Sequence, residues 1–164
     1  QEPFLFSRSI AENISIADEK VDMDAVREAS RAACLDETVE GFTQGYDTFV
    51  GERGVTLSGG QKQRAAIART LMRRQPIMIF DDSLSAVDTE TDAKISTELE
   101  RRFGSASIIL ISHRITTLAK AGQILVLDKG RIAERGTHDE LVAANGIYRR
   151  IYVIQTAGAE EAAR

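Results

Sequence analysis

Three short apolar runs constrain the fold most: Ile77-Met78-Ile79-Phe80, Ile108-Ile109-Leu110-Ile111 and Ile124-Leu125-Val126-Leu127. None alternates apolar with polar, so both faces of each strand are expected to be buried, as in a parallel sheet covered by helices. Between the first two runs, Ile95, Leu99 and Phe103 recur at helical spacing, with Asp88 as a cap and Gly104 as a stop. Strands alternating with helices predict an α/β architecture. The first run ends in Asp81-Asp82. A buried strand that delivers carboxylates at its C-terminal edge puts them where open α/β sheets bind ligands, and Mg²⁺ favours such oxygen donors. A strand followed by an acidic helix cap is the bland alternative, and at this point it stands equally open.

Upstream, Ser9-Ile10-Ala11-Glu12 has capping-box spacing, and Asp22 is positioned to cap a helix carrying Val26, Ala29 and Ala33 on one face. Residues 41–54 are rich in glycine and polar groups and read as loop. A helix is expected over 58–74, with Ile67, Ala68, Leu71 and Met72 as its apolar face. Arg73 and Arg74 suit its C-terminal dipole, and Pro76 lies beyond it. Its start is Leu57-Ser58-Gly59-Gly60-Gln61. A serine hydroxyl, two amides bare of side-chain cover and a helix N-terminus together form an anion site; a flexible Ser-Gly turn is the alternative. Downstream, Asp128-Lys129-Gly130-Arg131 reads as a hairpin turn into Ile132-Ala133-Glu134. Thr137-His138-Asp139-Glu140 is a capping box in which His138 merely starts a helix. That terminal helix offers Leu141, Val142, Ile147 and Ile151 for packing, and the Ala/Glu-rich stretch after Gln155 is expected to fray.

Composition narrows the partners. A chain of 164 residues is about one domain, and its net charge of −4 leaves no electrostatic footprint for nucleic acid. A single cysteine, Cys34, cannot form an internal disulfide and fits a reducing compartment. No apolar run reaches the ~20 residues a bilayer requires, so a membrane link is expected to go through another segment or chain. The chain begins with Gln and is expected to be a piece of something longer.

Taken in order, these stretches resemble the nucleotide-binding domain of ATP-binding-cassette (ABC) transporters of exporter type. Ser58-Gly59-Gly60-Gln61 resembles the signature motif, which binds a nucleotide held by the partner domain. The strand ending at Asp81 looks like Walker B, implying that Asp81 supports Mg²⁺ and that Asp82 polarises the attacking water. The family usually carries glutamate at that second position. Aspartate is one methylene shorter, about 1.5 Å, and a displacement of that size can cost roughly 10²-fold in a positioned reaction. Ser83-Leu84-Ser85-Ala86-Val87-Asp88 resembles the D-loop, with Ser85 and Asp88 near the partner's site. His113 resembles the switch histidine that contacts the γ-phosphate. Gln1, opening Gln1-Glu2-Pro3-Phe4-Leu5-Phe6, resembles the Q-loop glutamine that senses Mg²⁺ and the water. The residues just after it, and Thr48-Phe49-Val50-Gly51-Glu52, resemble the surfaces that meet transmembrane coupling helices.

The resemblance implies a P-loop NTPase-like parallel sheet with a helical subdomain. Residues 1–75 would carry the Q-loop and signature subdomain, 76–155 the later part of the catalytic core, and 156–164 a disordered tail. It implies ATP and Mg²⁺ as ligands, a head-to-tail pairing with a second nucleotide-binding domain, and a place on the cytoplasmic face of the membrane. No Gly-x-x-x-x-Gly-Lys-Ser/Thr occurs in the sequence, so this stretch alone is expected neither to bind ATP tightly nor to hydrolyse it. In the family, the strand of that motif lies between the strand leading to His113 and the strand over 124–127. Its absence is expected to leave two edges that recruit other chains or repack. The intact signature beside Asp82 suggests one half of a heterodimeric exporter, its own site slow or silent and regulatory. Soluble superfamily ATPases are the rival reading, but they carry coiled coils or basic linkers that this sequence lacks.

Overall fold

The computed structural model describes residues 3–51, 55–73, 75–104 and 106–162, and the chain forms two compact units, Gln1–Ile111 and Ser112–Arg164. Packing, rather than motif, draws that boundary.

In the first unit, strand β1 (Arg8–Ser9) leads into helix α1 (Ile10–Ile14). The expected capping box forms: the Ser9 hydroxyl accepts from the Glu12 N–H at 3.2 Å, and the Glu12 carboxylate accepts from the Ser9 N–H at 2.9 Å. Helix α2 (Met23–Ala32) is capped by Asp22, whose carboxylate accepts from the Asp24 and Ala25 amides. Val26, Ala29 and Ala33 are buried as the spacing predicts. Helix α3 (Asp36–Glu40) was not foreseen because Leu35 at its start makes no side-chain cap bond, leaving no start signal to read. The 41–54 stretch is more than loop. It holds a 3₁₀ turn (Gly45–Asp47) and strand β2 (Phe49–Val50), antiparallel to β1 with Ser9 opposite Phe49. Two-residue strands have no alternation to detect. Gly51 is obligatory there: its φ is +110°, and a Cβ would lie 2.7 Å from the Ser7 hydroxyl.

Helix α4 (Gly59–Leu71) buries Ile67, Ala68 and Leu71. Strands β3 (Ile77–Asp81) and β4 (Ser107–Ile111) pair in parallel, Ile79 beside Ile109, with helix α5 (Thr89–Phe103) as the crossover. Met78 and Phe80 share one core with Ile67, Ile95, Leu99 and Phe103. The expectation that these strands are buried on both faces fails. Ile77 and Ile79 are each 60% exposed, and Ile109 and Ile111 are exposed beside them. Helices cover only one face of this two-stranded sheet among the described residues.

The second unit contains helix α6 (Ile115–Leu118) and the antiparallel hairpin of β5 (Ile124–Asp128) and β6 (Arg131–Gly136). Lys129 and Gly130 both take positive φ, +48° and +76°, the geometry of a type I′ turn whose twist matches the strands. Leu125 and Leu127 are exposed, so this run too is one-sided. Among the described residues β4 pairs with β3, and β5 with β6. The terminal helix is two helices, α7 (His138–Ala143) and α8 (Ile147–Ala162), broken where Asn145 adopts φ +57°. Tyr148, rather than Ile151, fills the core with Ile115, Ile124 and Leu141. The stretch after Gln155 is helical to Ala162.

Candidate functional site

Ser58 turns the chain from extended (φ −65°, ψ 162°) into α4. Its hydroxyl accepts from the Gln61 N–H at 3.3 Å, while the Gln61 side-chain oxygen accepts from the Ser58 N–H at 2.8 Å. This reciprocal box satisfies two donors of the helix start. The Gly59 and Gly60 N–H groups come next, and Ser58 and Gly59 are exposed. Free amides at a helix N-terminus favour an anion by about 0.3–1 kcal/mol each way through the dipole, more where several amides converge. The second glycine has a further reason. A Cβ on Gly60 would lie 2.8 Å from the Ala86 carbonyl oxygen, so only glycine lets the helix start against the loop after β3.

That loop is held from the helix by a residue absent from the sequence reading. Gln63 is only 7% exposed. Its amide donates to the Ser85 hydroxyl at 2.9 Å and to the Asp82 carbonyl at 3.5 Å, and its carbonyl accepts from the Ala86 N–H at 2.8 Å. The Ser85 hydroxyl in turn donates to the Asp82 carbonyl at 2.8 Å. A polar residue on the buried stripe that continues to Ile67 and Leu71 was the signal available in the sequence.

Asp81 closes β3 with an exposed side chain, and Asp82 follows at φ +48° with its N–H donating to the Ile111 carbonyl. Aspartate tolerates this left-handed conformation better than longer residues do. Asp88 caps α5, accepting from the Thr91 N–H at 2.9 Å and the Thr91 hydroxyl at 2.7 Å. The backbone bond first and the hydroxyl second hold its carboxyl below the usual range.

Asn13 and Arg69 also escaped the sequence reading. The buried Asn13 amide accepts from the Phe6 N–H at 2.8 Å and donates to the Phe6 and Ser9 carbonyls. Arg69, on α4, donates to the Asn13 carbonyl at 2.9 Å and the Phe4 carbonyl at 3.2 Å; burial lowers its pKa. The segment after the glutamine motif is thereby tied to α4, and Phe4, Phe6 and Phe49 remain exposed. Arg73 leaves the helix end and instead pairs with Asp18 at 2.8 Å.

Ser58, Gly59, Gly60, Gln61, Asp81, Asp82, Ser85 and Asp88 thus lie in the first unit. His113 is exposed in the second unit, its carbonyl accepting from the Gln155 amide at 2.7 Å. Gln1, Glu52 and Arg74 lie outside the described residues. No group of three or more metal-ligating side chains occurs among the described residues. Mg²⁺ held by one or two carboxylates and a nucleotide's phosphates needs none, and Asp81 and Asp82 fit that donor set. No described helix is long and apolar enough to cross a membrane.

The family model described as ABC transporter matches residues 1–85. The chain is 42% identical over 161 residues to the ABC transporter aclQ of Aspergillus oryzae, covering 98% of this chain and 20% of that protein. It is 43% identical over 159 residues to the ATP-dependent lipid A-core flippase of Mannheimia succiniciproducens, covering 96% of this chain and 27% of that one. Among solved structures, a bacterial Atm1-family ABC exporter with ATP bound superposes with a TM-score of 0.89 at 40% identity, over 95% of this chain and 28% of that chain. The chain therefore spans about a fifth to about a quarter of the length of these proteins. The match confirms a P-loop NTPase-like α/β fold with a helical subdomain. On the match over residues 1–85 and on this likeness to solved structures, the chain belongs to the ABC transporter family.

Proposed function

We propose that this chain is part of the ATP-binding domain of an exporter, coupling ATP binding and hydrolysis to movement of a substrate across a membrane. The observation that carries this is the start of α4, where exposed Ser58 and the Gly59 and Gly60 amides lie at a helix N-terminus against the Asp82–Ala86 loop, an arrangement suited to an anion. Similarity to an ATP-dependent flippase and to an exporter with ATP bound supports the same reading.

In the working assembly, Ser58, Gly59, Gly60 and Gln61 bind the γ-phosphate of a nucleotide held by a second nucleotide-binding domain. Asp81 and Gln1 support Mg²⁺, which when bound offsets phosphate charge. Asp82 polarises the attacking water, His113 donates to the γ-phosphate, and Ser85 and Asp88 face the partner. Residues 1–75 serve as the signature subdomain and 76–155 as catalytic core. Phe4, Phe6 and Phe49 are exposed aromatic groups suited to a transmembrane domain's coupling helices. The domain works at the cytoplasmic face of the membrane.

The short carboxylate at Asp82 favours a heterodimer in which this chain's signature serves the faster site and its own Walker B belongs to the slower one. ATPase assays on the intact transporter test this. Asp82→Ala lowers turnover less than twofold, whereas Ser58→Arg, which puts bulk and a misdirected charge at the anion site, lowers it by about 10²-fold or more. A fully active homodimer, or a larger loss from Asp82→Ala, refutes the asymmetry.

A further inference from the structure

We propose that Gln63 is a positioning residue: through its bonds to Ser85, Ala86 and Asp82 it makes the α4 anion site and the Asp82 loop move as one body. The proposal rests on the reading of α4 and Asp82 as parts of an ATPase. The geometry is specific. Both ends of a buried carboxamide are used on the loop, at 2.9 Å to the Ser85 hydroxyl, 2.8 Å from the Ala86 N–H and 3.5 Å to the Asp82 carbonyl. Gly60, one helical turn earlier, abuts the same Ala86 at its carbonyl. The loop is therefore hydrogen-bonded to α4 through Gln63 and packed close against it at Gly60, with Ala86 at both places.

The consequence follows from what each end carries. Ser58 and Gly60 respond to a phosphate on the partner domain, while the Asp82 backbone, at φ +48°, sets the direction of its carboxylate. A docked phosphate that shifts the first turn of α4 shifts Ala86 and Asp82 with it. Without Gln63, the loop can drift while both anion binding and the Asp82 side chain are retained. Turnover at the partner's faster site should then fall with nucleotide affinity unchanged, because the same loop carries Ser85 and leads to Asp88, which face that site, and displacement of a positioned group acts on the chemical step.

The test uses the intact transporter. Gln63→Met keeps the side-chain volume and removes both polar ends. It should lower kcat about tenfold with KM for ATP within about twofold. Gln63→Glu, which can still accept from the Ala86 N–H, should recover part of that loss. Hydrogen exchange at the Ala86 amide should quicken about tenfold in Gln63→Met. A purely structural role would reduce the folded fraction without splitting kcat from KM, and Glu would not restore it. If Gln63→Met does not fold, Ser85→Ala cuts the same link from the loop side and must show the same fall in kcat at constant KM. An unchanged kcat, or unchanged Ala86 exchange, overturns the proposal. A wild-type transporter with no ATP turnover overturns the functional reading and the coupling together, while the exchange result alone still reports whether Gln63 holds the loop.

Discussion

Two adjacent glycines carry opposite tolerances for the same methyl group. Alanine is favoured over glycine inside a helix by about 1 kcal/mol, so both Gly59→Ala and Gly60→Ala start with that gain. At Gly59 the added Cβ meets only the Ala86 Cβ at 3.9 Å, an ordinary contact. At Gly60 it meets a backbone carbonyl at 2.8 Å, which no rotamer change relieves. Forcing the loop aside costs about 1–3 kcal/mol and strains the Gln63 bonds. Thermal melts of the 164-residue chain should therefore show Gly59→Ala unchanged or higher in Tm and Gly60→Ala lower by roughly 2–6 °C. Equal shifts for the two would mean that the loop gives way easily. In the other unit the Glu134 carboxylate accepts from the Ile147 and Tyr148 amides at the start of α8, and a Cβ at position 146 would meet the movable end of that side chain rather than backbone.

Helix α5 shows how an element records its charges in its pH response. Glu98 accepts from Arg101 at 2.8 Å and from Arg102 at 2.9 Å, and Arg102 reaches on to Glu28 on α2 at 2.8 Å. These hydrogen bonds, Arg101 first, pull the Glu98 carboxyl from 4.5 down to about 2. Because the folded pKa is depressed, the contribution is fully present above pH 4.5 and is lost as pH falls toward 2. Glu98→Gln should flatten the pH dependence of stability across that window and leave the slope above it unchanged, as read by denaturant midpoints at each pH. A Gln variant with the wild-type acid slope would assign the loss to other carboxylates. Exposure of the pair keeps the gain at neutral pH small.

At the scale of the whole molecule, the sheets are the weak point. Ile77, Ile79, Ile109 and Ile111 form one exposed apolar face, and among the described residues β4 and β5 each leave an edge unpaired. Unpaired edges beside exposed β-branched side chains template pairing with another chain. The 164-residue chain on its own should therefore self-associate. Light scattering should give an apparent mass that rises with concentration, and the double change Ile79→Lys with Ile109→Lys should suppress the rise without lowering helix content. A wild-type chain that stays monomeric at every concentration refutes this.

Local signals in the sequence settled what local physics controls. Caps at Ser9, Asp22, Asp88 and Thr137 each depend on a hydroxyl or carboxylate two or three residues from its amide, and all four formed. The Lys129-Gly130 turn and the helix start at Ser58 followed from the same short-range rules. Long-range packing decided the rest. Whether an apolar strand is covered on one face or two depends on which layers pack against it, and the runs at 77–80 and 108–111 could not reveal that the second face is bare. The Gln63 amide meets residues 19–23 positions away, and the Arg69 guanidinium meets Asn13 across 56. Partners so far apart in sequence leave no periodic trace, so only the folded chain could show that α4 holds both the loop bearing Asp82 and the segment that follows Gln1.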